Sequence, residues 1–312
     1  MSIVPNAPLF RDPVYDGAAD PVIIWNRQEQ AWWLLYTNRR AAAPGTGVSY
    51  MHGTDIGITS SADAGKTWIY RGILRGLDYE PGRNTYWAPE VIESDGIYHM
   101  YVSYVRGVPS DWNCARKILH YTSTDLWNWS FESELKLSSD KVIDACVLRL
   151  QDGSWKMWYK DEVHQSFTYT AYSKDLYHWE PGRAEITDCP HEGPNVFFFE
   201  GKYWMVTDPW EGIGVYVSED ACNWKRCSNI LKDPGIRTDD GTIGNHADVL
   251  VHHGRAYIFY FTHPEVTLEQ RKEEAFLWEY RHRRSSLQVA ELRVSEGELI
   301  CDRDHVEMDL SV

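Results

Sequence analysis

The sequence lacks the patterns of a disulfide framework, a zinc site or a membrane protein. Its six cysteines include no Cys-x-x-Cys pair, and the closest two, Cys222 and Cys227, have no paired histidine ligands nearby. No stretch approaches 18 apolar residues, and the N-terminus has neither a basic segment nor a long apolar run. These absences predict a cytoplasmic protein with reduced thiols.

Positive charge is also scarce. The chain has 31 Lys and Arg against 46 Asp and Glu, so that its formal net charge is −15. An excess of negative charge repels the phosphates of nucleic acids and the surfaces of anionic membranes. We therefore expect neither nucleic acid nor membrane among the partners of this protein.

Helical periodicity is nearly absent, whereas aromatic residues are abundant. The 312 residues include 15 Trp, 19 Tyr and 9 Phe, and aromatic residues favour strands. One segment, 267–284, carries the charge pattern of a helix. It predicts a helical insertion at about 265–284.

A short apolar run, a polar or glycine-containing turn and an aromatic-rich alternating run recur five times. The copies begin at Val22, Val91, Val147, Val196 and Val249. Each copy has the signals of a β-hairpin. Repeats of roughly 50 residues with this content are typical of propeller blades. The sequence therefore predicts an all-β fold, a five-bladed β-propeller, in which 1–312 form a single domain and the insertion interrupts the last blade.

Each repeat places an acidic residue just before its first apolar run. These residues are Asp20, Glu90, Asp144, Glu192 and Asp248. The first strand of each propeller blade lines the central channel, so that the five entrances point at one place. A buried, unpaired carboxylate is costly in a core, whereas converging acids raise one another's pKa in a functional cleft. The pattern indicates a site.

Hydrolysis of a glycosidic bond needs such residues. One carboxylic acid protonates the leaving oxygen, while a carboxylate activates water or attacks the anomeric carbon. The acids therefore predict a glycoside hydrolase whose partner is an oligosaccharide.

Four segments, ADPVI, WAPEVI, VIDACV and HEGPNVF, resemble those of glycoside hydrolase families 43 and 117. Both families are five-bladed propellers. HGTDIG from His52 and RRSSLQVAEL from Arg283 resemble family 117 more closely. Members of family 117 remove terminal 3,6-anhydro-L-galactose from agar oligosaccharides, and family 43 includes arabinofuranosidases, xylosidases and galactanases. The resemblance implies an inverting hydrolase, and with the cytoplasmic location it favours action on a terminal sugar.

The resemblance also implies residue roles. Asp20 matches the general base, Asp144 matches the acid that tunes the donor's pKa and orients it, and Glu192 matches the general acid. His246 matches a channel histidine that often lies beside a water or a divalent cation such as calcium or magnesium. No organic cofactor is expected. The candidates for substrate binding are Trp87, Glu90, His52, Lys160, His191, Asp208 and His246.

Three departures from these families leave the substrate open. The chain starts almost at its first repeat, without the helical segment that precedes the propeller in family 117. Residues 182–190 contain no histidine, although some family members use one there for proton donation, and Asp144 is followed by Ala-Cys where family 43 usually has proline.

Other functions are also weighed. A carbohydrate-binding propeller without activity would be expected to lack one of the acids. A retaining β-fructosidase-like propeller would carry a Glu-Cys acid, which the chain lacks. A phosphorolytic propeller would need clustered Arg, Lys and His. Whether the protein forms a homodimer is left open.

Overall fold

The fold was analysed in a computed structural model that describes residues 2–273 and 277–312. It contains five four-stranded antiparallel sheets, each formed by four strands that are consecutive in the chain. The strands of the first three sheets are β1 (Ala18–Asn26), β2 (Ala31–Asn38), β3 (Asp55–Ser61), β4 (Ile69–Ile73), β5 (Thr85–Ser94), β6 (Ile97–Val105), β7 (Lys117–Ser123), β8 (Ser130–Glu134), β9 (Val142–Arg149), β10 (Trp155–Asp161), β11 (Phe167–Ser173) and β12 (Glu180–Ile186). Those of the last two are β13 (Glu192–Phe199), β14 (Lys202–Asp208), β15 (Gly214–Ser218), β16 (Lys225–Arg226), β17 (Asn245–His252), β18 (Arg255–Thr262), β19 (Ser286–Ser295) and β20 (Glu298–Asp302).

The five sheets are the blades of a propeller, and the predicted fold class is confirmed. The first strands of the blades, β1, β5, β9, β13 and β17, contact one another in order around the axis, and β17 meets β1 again. Each hairpin recognised in the sequence forms the first two strands of a blade. Local pairing alone therefore builds each blade, and the first strands surround the channel.

The second strand of several blades carries the largest buried side chains. Trp33 on β2, Trp158 on β10 and Trp204 on β14 have at most 1% of their surface exposed. Together with Val, Ile and Leu of the first and third strands, they fill the space between neighbouring blades. Apolar burial of this kind contributes about 25 cal/mol per Å², so that most of the aromatic residues have structural roles.

Two isolated bridges hold the N-terminal segment. Ile3 pairs with Met308, which follows the last blade, and Phe10 pairs with Leu287 in β19.

Two short helices lie between β18 and β19. They are α1 (Leu268–Lys272) and α2 (Tyr280–Arg283). Thr267 caps α1 by accepting the N–H of Gln270 at 3.2 Å. The predicted helical insertion at about 265–284 includes residues 274–276, which lie outside the described residues. The region is joined to blade 1 by the hydroxyl of Tyr280, which donates to Asp16 at 2.6 Å. This hydrogen bond holds α2 against the segment that leads into β1.

All six cysteines are free thiols. Within 2–273 and 277–312, no helix has both the length and the apolar character needed to cross a bilayer.

Candidate active site

A β-bulge interrupts the first strand of every blade. The pairing of first and second strands slips after Ala19, Trp87, Ile143, Glu192 and Asn245. A bulge inserts one extra residue and re-aims its side chain, and bulges are frequent next to active sites.

In four blades the bulge holds a left-handed backbone. The φ angle is +48° at Asp20, +43° at Ala88, +59° at Asp144 and +58° at Gly193. Residues other than glycine rarely adopt this conformation, and it clusters at functional sites because it costs energy. Asp20 and Asp144 were predicted from their place before an apolar run, and the bulge is what turns them to the axis.

The bulges deliver four polar side chains into one cavity of about 990 Å³. We name these residues, Asp20, Asp144, Glu192 and His246, the bulge layer. They come from blades 1, 3, 4 and 5 and all line the cavity. The three carboxylates that the family resemblance singled out are therefore brought together, and no two of them are neighbours in sequence.

Asp20 is buried, and its carboxylate is held by one cation. Oδ1 accepts from Nη2 of Arg39 at 2.8 Å and lies 3.7 Å from Nδ1 of His246. Arg39 itself stacks on Phe261, with its guanidinium carbon 4.6 Å from the ring centroid. This packing fixes the direction in which the carboxylate faces the cavity.

Glu192 is paired with Lys160. Nζ of Lys160 lies 3.1 Å from Oε2 of Glu192 and 3.1 Å from Oε1 of Glu162. Burial alone would raise the pKa of Glu192, but Lys160 and His246 outweigh burial and lower it. The pKa of Lys160 is raised to about 12, because the surrounding carboxylates overcome its burial. In the free protein Glu192 is therefore ionised.

Asp208 lies directly opposite Glu192 in the pairing of β13 with β14. Its two oxygens accept the backbone N–H groups of Trp210 at 2.7 Å and His246 at 2.9 Å. Burial, with the nearby charge of Glu192, raises the pKa of Asp208 to about 7. Since Glu192 alone is paired with a lysine, the proton held by this cross-strand pair near neutral pH resides on Asp208.

Asp144 supports the backbone beside Glu192. Its Oδ2 accepts the N–H of Gly193 at 3.1 Å, and its own N–H donates to Oγ of Ser103 at 3.0 Å. Burial raises the pKa of Asp144 to about 6, although His246 opposes the shift. The carboxyl of Asp144 titrates near neutrality and contacts Gly193, the residue directly after Glu192. It is therefore suited to positioning Glu192.

His246 occupies the centre of the carboxylates. Burial alone would lower its pKa, but Asp144 and Asp20 raise it. A Cβ added to Gly193 would lie 2.8 Å from Cγ of the imidazole. Glycine is therefore favoured at position 193 for two reasons: the left-handed φ angle and the close approach of the imidazole of His246.

The divalent cation that the sequence allows beside His246 stays a prediction. No group of three or more His, Cys, Asp or Glu residues suited to a metal exists within the described part of the chain. Asp20 and Glu192 already face Arg39 and Lys160, and Asp208 accepts two N–H groups. Calcium and magnesium require several free oxygen ligands, so we derive no step through a metal.

A second ring of polar residues lies two or three positions further along the first strands. We name these residues, Glu90, Cys146, Asn195 and Asp248, the linking layer. Each accepts a backbone N–H from the next blade: Val147 at 2.7 Å, Val196 at 3.1 Å, Val249 at 3.2 Å and Ile23 at 2.8 Å, respectively. None of the four lines the cavity as described. They join the blades to one another.

Three residues predicted to bind substrate lie outside the cavity wall. Glu90 is buried in the linking layer, where its carboxylate accepts the N–H of Val147. His191 contacts the carbonyl of Cys189 with Nδ1 and the hydroxyl of Thr168 with Nε2, so both its nitrogens are engaged. These contacts correct the expectation of direct sugar contacts, because neither side chain is free to face the channel.

His52 is buried behind an aromatic wall and does not line the cavity. Its ring lies 4.9 Å from Trp87 and 5.5 Å from Trp112, measured between centroids. Trp87 lines the cavity as expected, and its indole N–H donates to the carbonyl of Met51 at 2.6 Å. The more open faces belong to Trp112 and Trp210, which are 45% and 40% exposed. Such faces suit the C–H surfaces of sugar rings.

Several cavity residues were missed in the sequence. Arg39 and His263 directly follow the second strands of blades 1 and 5, just as Lys160 and Asp208 lie at the ends of β10 and β14. The reasoning that selected Lys160 and Asp208, applied to every blade, would have found them. Others come from loops and the insertion, among them Tyr50, Trp112, Arg116, Glu162, Arg271 and Arg283.

The chain is similar to several solved glycoside hydrolases. A thermostable family-43 glycoside hydrolase superposes with a TM-score of 0.70 at 19% identity, over 97% of this chain and 100% of that one. The GH43_1 enzyme from Xanthomonas citri complexed with xylotriose gives 0.68 at 14% identity, over 94% and 92%. An endo-arabinase from Bacteroides thetaiotaomicron VPI-5482 gives 0.64 at 17%, over 93% and 99%. This chain shares their fold.

No protein-family model and no curated protein sequence matches the chain. The solved structures support the resemblance to family 43 at the level of the fold, whereas the closer resemblance to family 117 stays a prediction.

Proposed function

We propose that this protein is a glycoside hydrolase that removes a terminal sugar from an oligosaccharide. One observation carries the proposal: carboxylates from blades 1, 3 and 4 converge in a cavity beside His246. The likeness of the fold to enzymes described as family-43 hydrolases supports it, and one of those enzymes is described as complexed with xylotriose.

In the proposed reaction, Asp20 accepts a proton from water as the water oxygen attacks the anomeric carbon. The bond from that carbon to the leaving oxygen breaks, and Glu192 donates a proton to this oxygen. Asp144 positions the donor through the N–H of Gly193. Attack from the face opposite the leaving group inverts the configuration.

The donor must be protonated when substrate binds, and Asp208 is the proposed source of that proton because burial and the charge of Glu192 raise its pKa to about 7. The cross-strand position of Asp208 and Glu192 supports a shared proton, and coupled carboxyl groups of this kind titrate as a pair. Bound sugar excludes water and alters the contact of Glu192 with Lys160, which moves the proton toward Glu192. Asp208 is then the reservoir for the donor.

The shape of the cavity supports removal of a terminal sugar. Residues Leu277, Trp278 and Arg283 of the insertion line the cavity together with Val48, Tyr50 and Met51 of the first blade, and Arg283 packs against the ring of Tyr50. A cavity partly enclosed by two segments that contact each other suits a chain end better than an open groove would, since a long polysaccharide needs a path across the site.

The test is a hydrolysis screen with wild type, Glu192→Gln and Asp208→Asn. The panel contains aryl glycosides of α-L-arabinofuranose, β-D-xylose and both galactose anomers, with agar and xylan oligosaccharides. We expect release of one terminal sugar, with Glu192→Gln slower by about 10²–10⁴-fold on poor leaving groups and much less impaired on dinitrophenyl leaving groups, which need no proton.

Asp208→Asn distinguishes the reservoir from the donor. If Asp208 is a reservoir, it sets the pH profile of kcat/KM. Its loss then shifts the alkaline limb of this profile to lower pH, while poor leaving groups are still released at low pH. If Asp208→Asn instead shows the dependence on leaving group described for Glu192→Gln, the assignment of Glu192 is wrong. NMR of the first-formed anomer tests inversion, and unaltered hydrolysis by both variants would contradict the proposed site.

The location and assembly of the protein are also proposals. We propose a cytoplasmic hydrolase that receives short oligosaccharides, and light scattering of the purified chain determines whether it forms a homodimer.

A further inference from the structure

The guanidinium of Arg271 is only partly paired. Arg271 belongs to α1 and lines the cavity. Its Nη1 donates to Oδ1 of Asn245 at 3.0 Å. Nε and Nη2 are buried and have no hydrogen-bond partner in the part of the chain that the structure describes. A buried donor without an acceptor is expensive, so these two N–H groups call for an acceptor from outside the protein.

The charges nearby are already engaged with other groups. Asp208 accepts the N–H groups of Trp210 and His246, and Glu192 faces Lys160. Arg39 is neutralised by Asp20. Burial lowers the pKa of Arg271, and the attraction of Asp208 does not restore it. Among the described residues, Arg271 thus forms no ion pair of its own, although it lines the cavity.

The two unpaired nitrogens form the side-on fork of a guanidinium. The same chain uses this fork elsewhere: Nε and Nη2 of Arg11 donate to the two oxygens of Asp16 at 2.9 and 2.6 Å. A planar pair of donors matches the two oxygens of a carboxylate. The open fork therefore indicates an oxyanion as its ligand.

We propose that Arg271 binds the carboxylate of an acidic sugar, so that the substrate is a uronic-acid-containing oligosaccharide. This inference rests on the proposed glycosidase function and specifies its substrate class. Arg283 adds positive charge to the same side: it lines the cavity with its guanidinium 4.8 Å from the ring centroid of Tyr50. The carboxylate lies at a fixed distance from the anomeric carbon of a uronic acid, so that one arginine sets the register of the sugar against Asp20 and Glu192.

Inorganic phosphate has the same oxyanion chemistry but fits less well. An attacking phosphate must lie beside Asp20, and the cation there, Arg39, is already paired with that carboxylate at 2.8 Å. Arg271, whose Nε and Nη2 have no partner among the described residues, belongs to the insertion instead. The arrangement therefore favours a carboxylate on the sugar over a phosphate as the attacking group.

The test measures binding, so that it does not depend on turnover. Calorimetry of the full chain compares D-glucuronate, D-galacturonate, D-mannuronate and L-iduronate with their uncharged methyl esters. We expect at least one acid to bind about tenfold or more tightly than its ester, the difference that loss of a charged hydrogen bond produces. Arg271→Gln loses this preference, and Arg271→Lys, which keeps the charge without the fork, retains part of it.

Arg281→Gln is the matched control. Arg281 lies in α2 of the same insertion, and its side chain is 61% exposed and pairs with Glu279. It therefore reports any general effect of removing an arginine from the insertion, and we expect it to bind like wild type. Thermal unfolding of all variants checks that the fold is kept.

The inference is overturned if wild type binds no acid better than its ester, or if Arg271→Gln keeps the preference. It is also overturned if phosphate binds through Arg271 and is required for cleavage that releases a sugar 1-phosphate. Hydrolysis of neutral oligosaccharides independently of Arg271 would remove the acidic substrate and leave the glycosidase proposal standing. Selective binding of an acid without any hydrolysis would do the reverse.

Discussion

The bulge layer and the linking layer place the same kinds of side chain two or three residues apart, with different consequences. Asp144 of the bulge layer faces the cavity, whereas Asp248 of the linking layer accepts the N–H of Ile23 from the neighbouring blade. Both are buried acids in first strands with a raised pKa. Burial and pKa alone therefore do not identify a catalytic acid in this molecule, and the direction set by the bulge does.

The two layers also differ in what opposes their charge. In the bulge layer, Asp20 and Glu192 each face a cation, Arg39 and Lys160. In the linking layer, Glu90 accepts a backbone N–H, and burial with the nearby Asp248 raises its pKa to about 8. The bulge layer thus contains carboxylates paired with cations. The linking layer contains a protonated acid that is bonded to neutral backbone donors.

The largest expected contrast comes from the same substitution in each layer. Asp144→Asn removes a carboxylate that positions Glu192, so we expect kcat/KM to fall on the order of 10²-fold, as a displaced catalytic group produces, with little loss of stability. The carboxylate of Asp248 accepts the N–H of Ile23 with one oxygen and the side-chain amide of Asn195 with the other. Asp248→Asn replaces one of these acceptors with an NH₂ donor, and we expect a loss of about 1–3 kcal/mol in the free energy of unfolding. Kinetics and denaturant unfolding of both variants measure the contrast. Equal effects on activity would mean that the layers do not differ in function.

A smaller effect is expected where the backbone of the bulge layer meets His246. Gly193→Ala brings a Cβ within 2.8 Å of the imidazole and also places alanine at a φ of +58°. We expect about 1–2 kcal/mol of strain. We also expect a loss of kcat/KM of about tenfold or more, since the strain displaces Glu192, the residue directly before Gly193.

Gly254→Ala provides the control for strain alone. Gly254 has a φ of +74° and nothing within 4 Å of an added Cβ. It shares the left-handed backbone and lacks the contact. If Gly254→Ala lowered activity as much as Gly193→Ala, the contact with His246 would not explain the loss.

The sequence predicted the architecture because each blade is a local structure. The hairpins show their periodicity and turns within a few residues, so that five copies predict five blades. The acids Asp20, Asp144 and Glu192 were found because they stand before those hairpins. Which acid faces the channel depends on a residue with a left-handed backbone at the bulge. The sequence does not predict a positive φ angle at Asp20 or Asp144, so it could not show which acids the bulge turns to the channel.

Residues from loops and the insertion were beyond sequence reasoning for a different reason. Trp112 and Arg271 reach the cavity from segments without periodicity, and their positions depend on contacts with distant blades. Glu90 was overpredicted because its place before Val91 is the same as that of Cys146 before Val147. Only the hydrogen bond from the next blade shows that this position joins blades.

The subtlest difference between the layers is in their dependence on pH. The pKa of Glu90 is about 8 in the folded protein and 4.5 when unperturbed, because burial and Asp248 disfavour the ionised form. The folded state therefore holds a proton that the unfolded state loses between these values. The contribution of Glu90 to stability is full below pH 4.5 and is lost as the pH rises through about 8, by up to about 1.4 kcal/mol per pH unit.

Glu90→Gln removes this titration, so its stability relative to wild type should increase from pH 5 to pH 9. Denaturant unfolding across this range measures the difference between the two proteins. Glu219→Gln, at a side chain that is 76% exposed, should show no such trend. A constant difference between wild type and Glu90→Gln would mean that Glu90 is ionised in the linking layer, and that the two layers do not differ in protonation as argued.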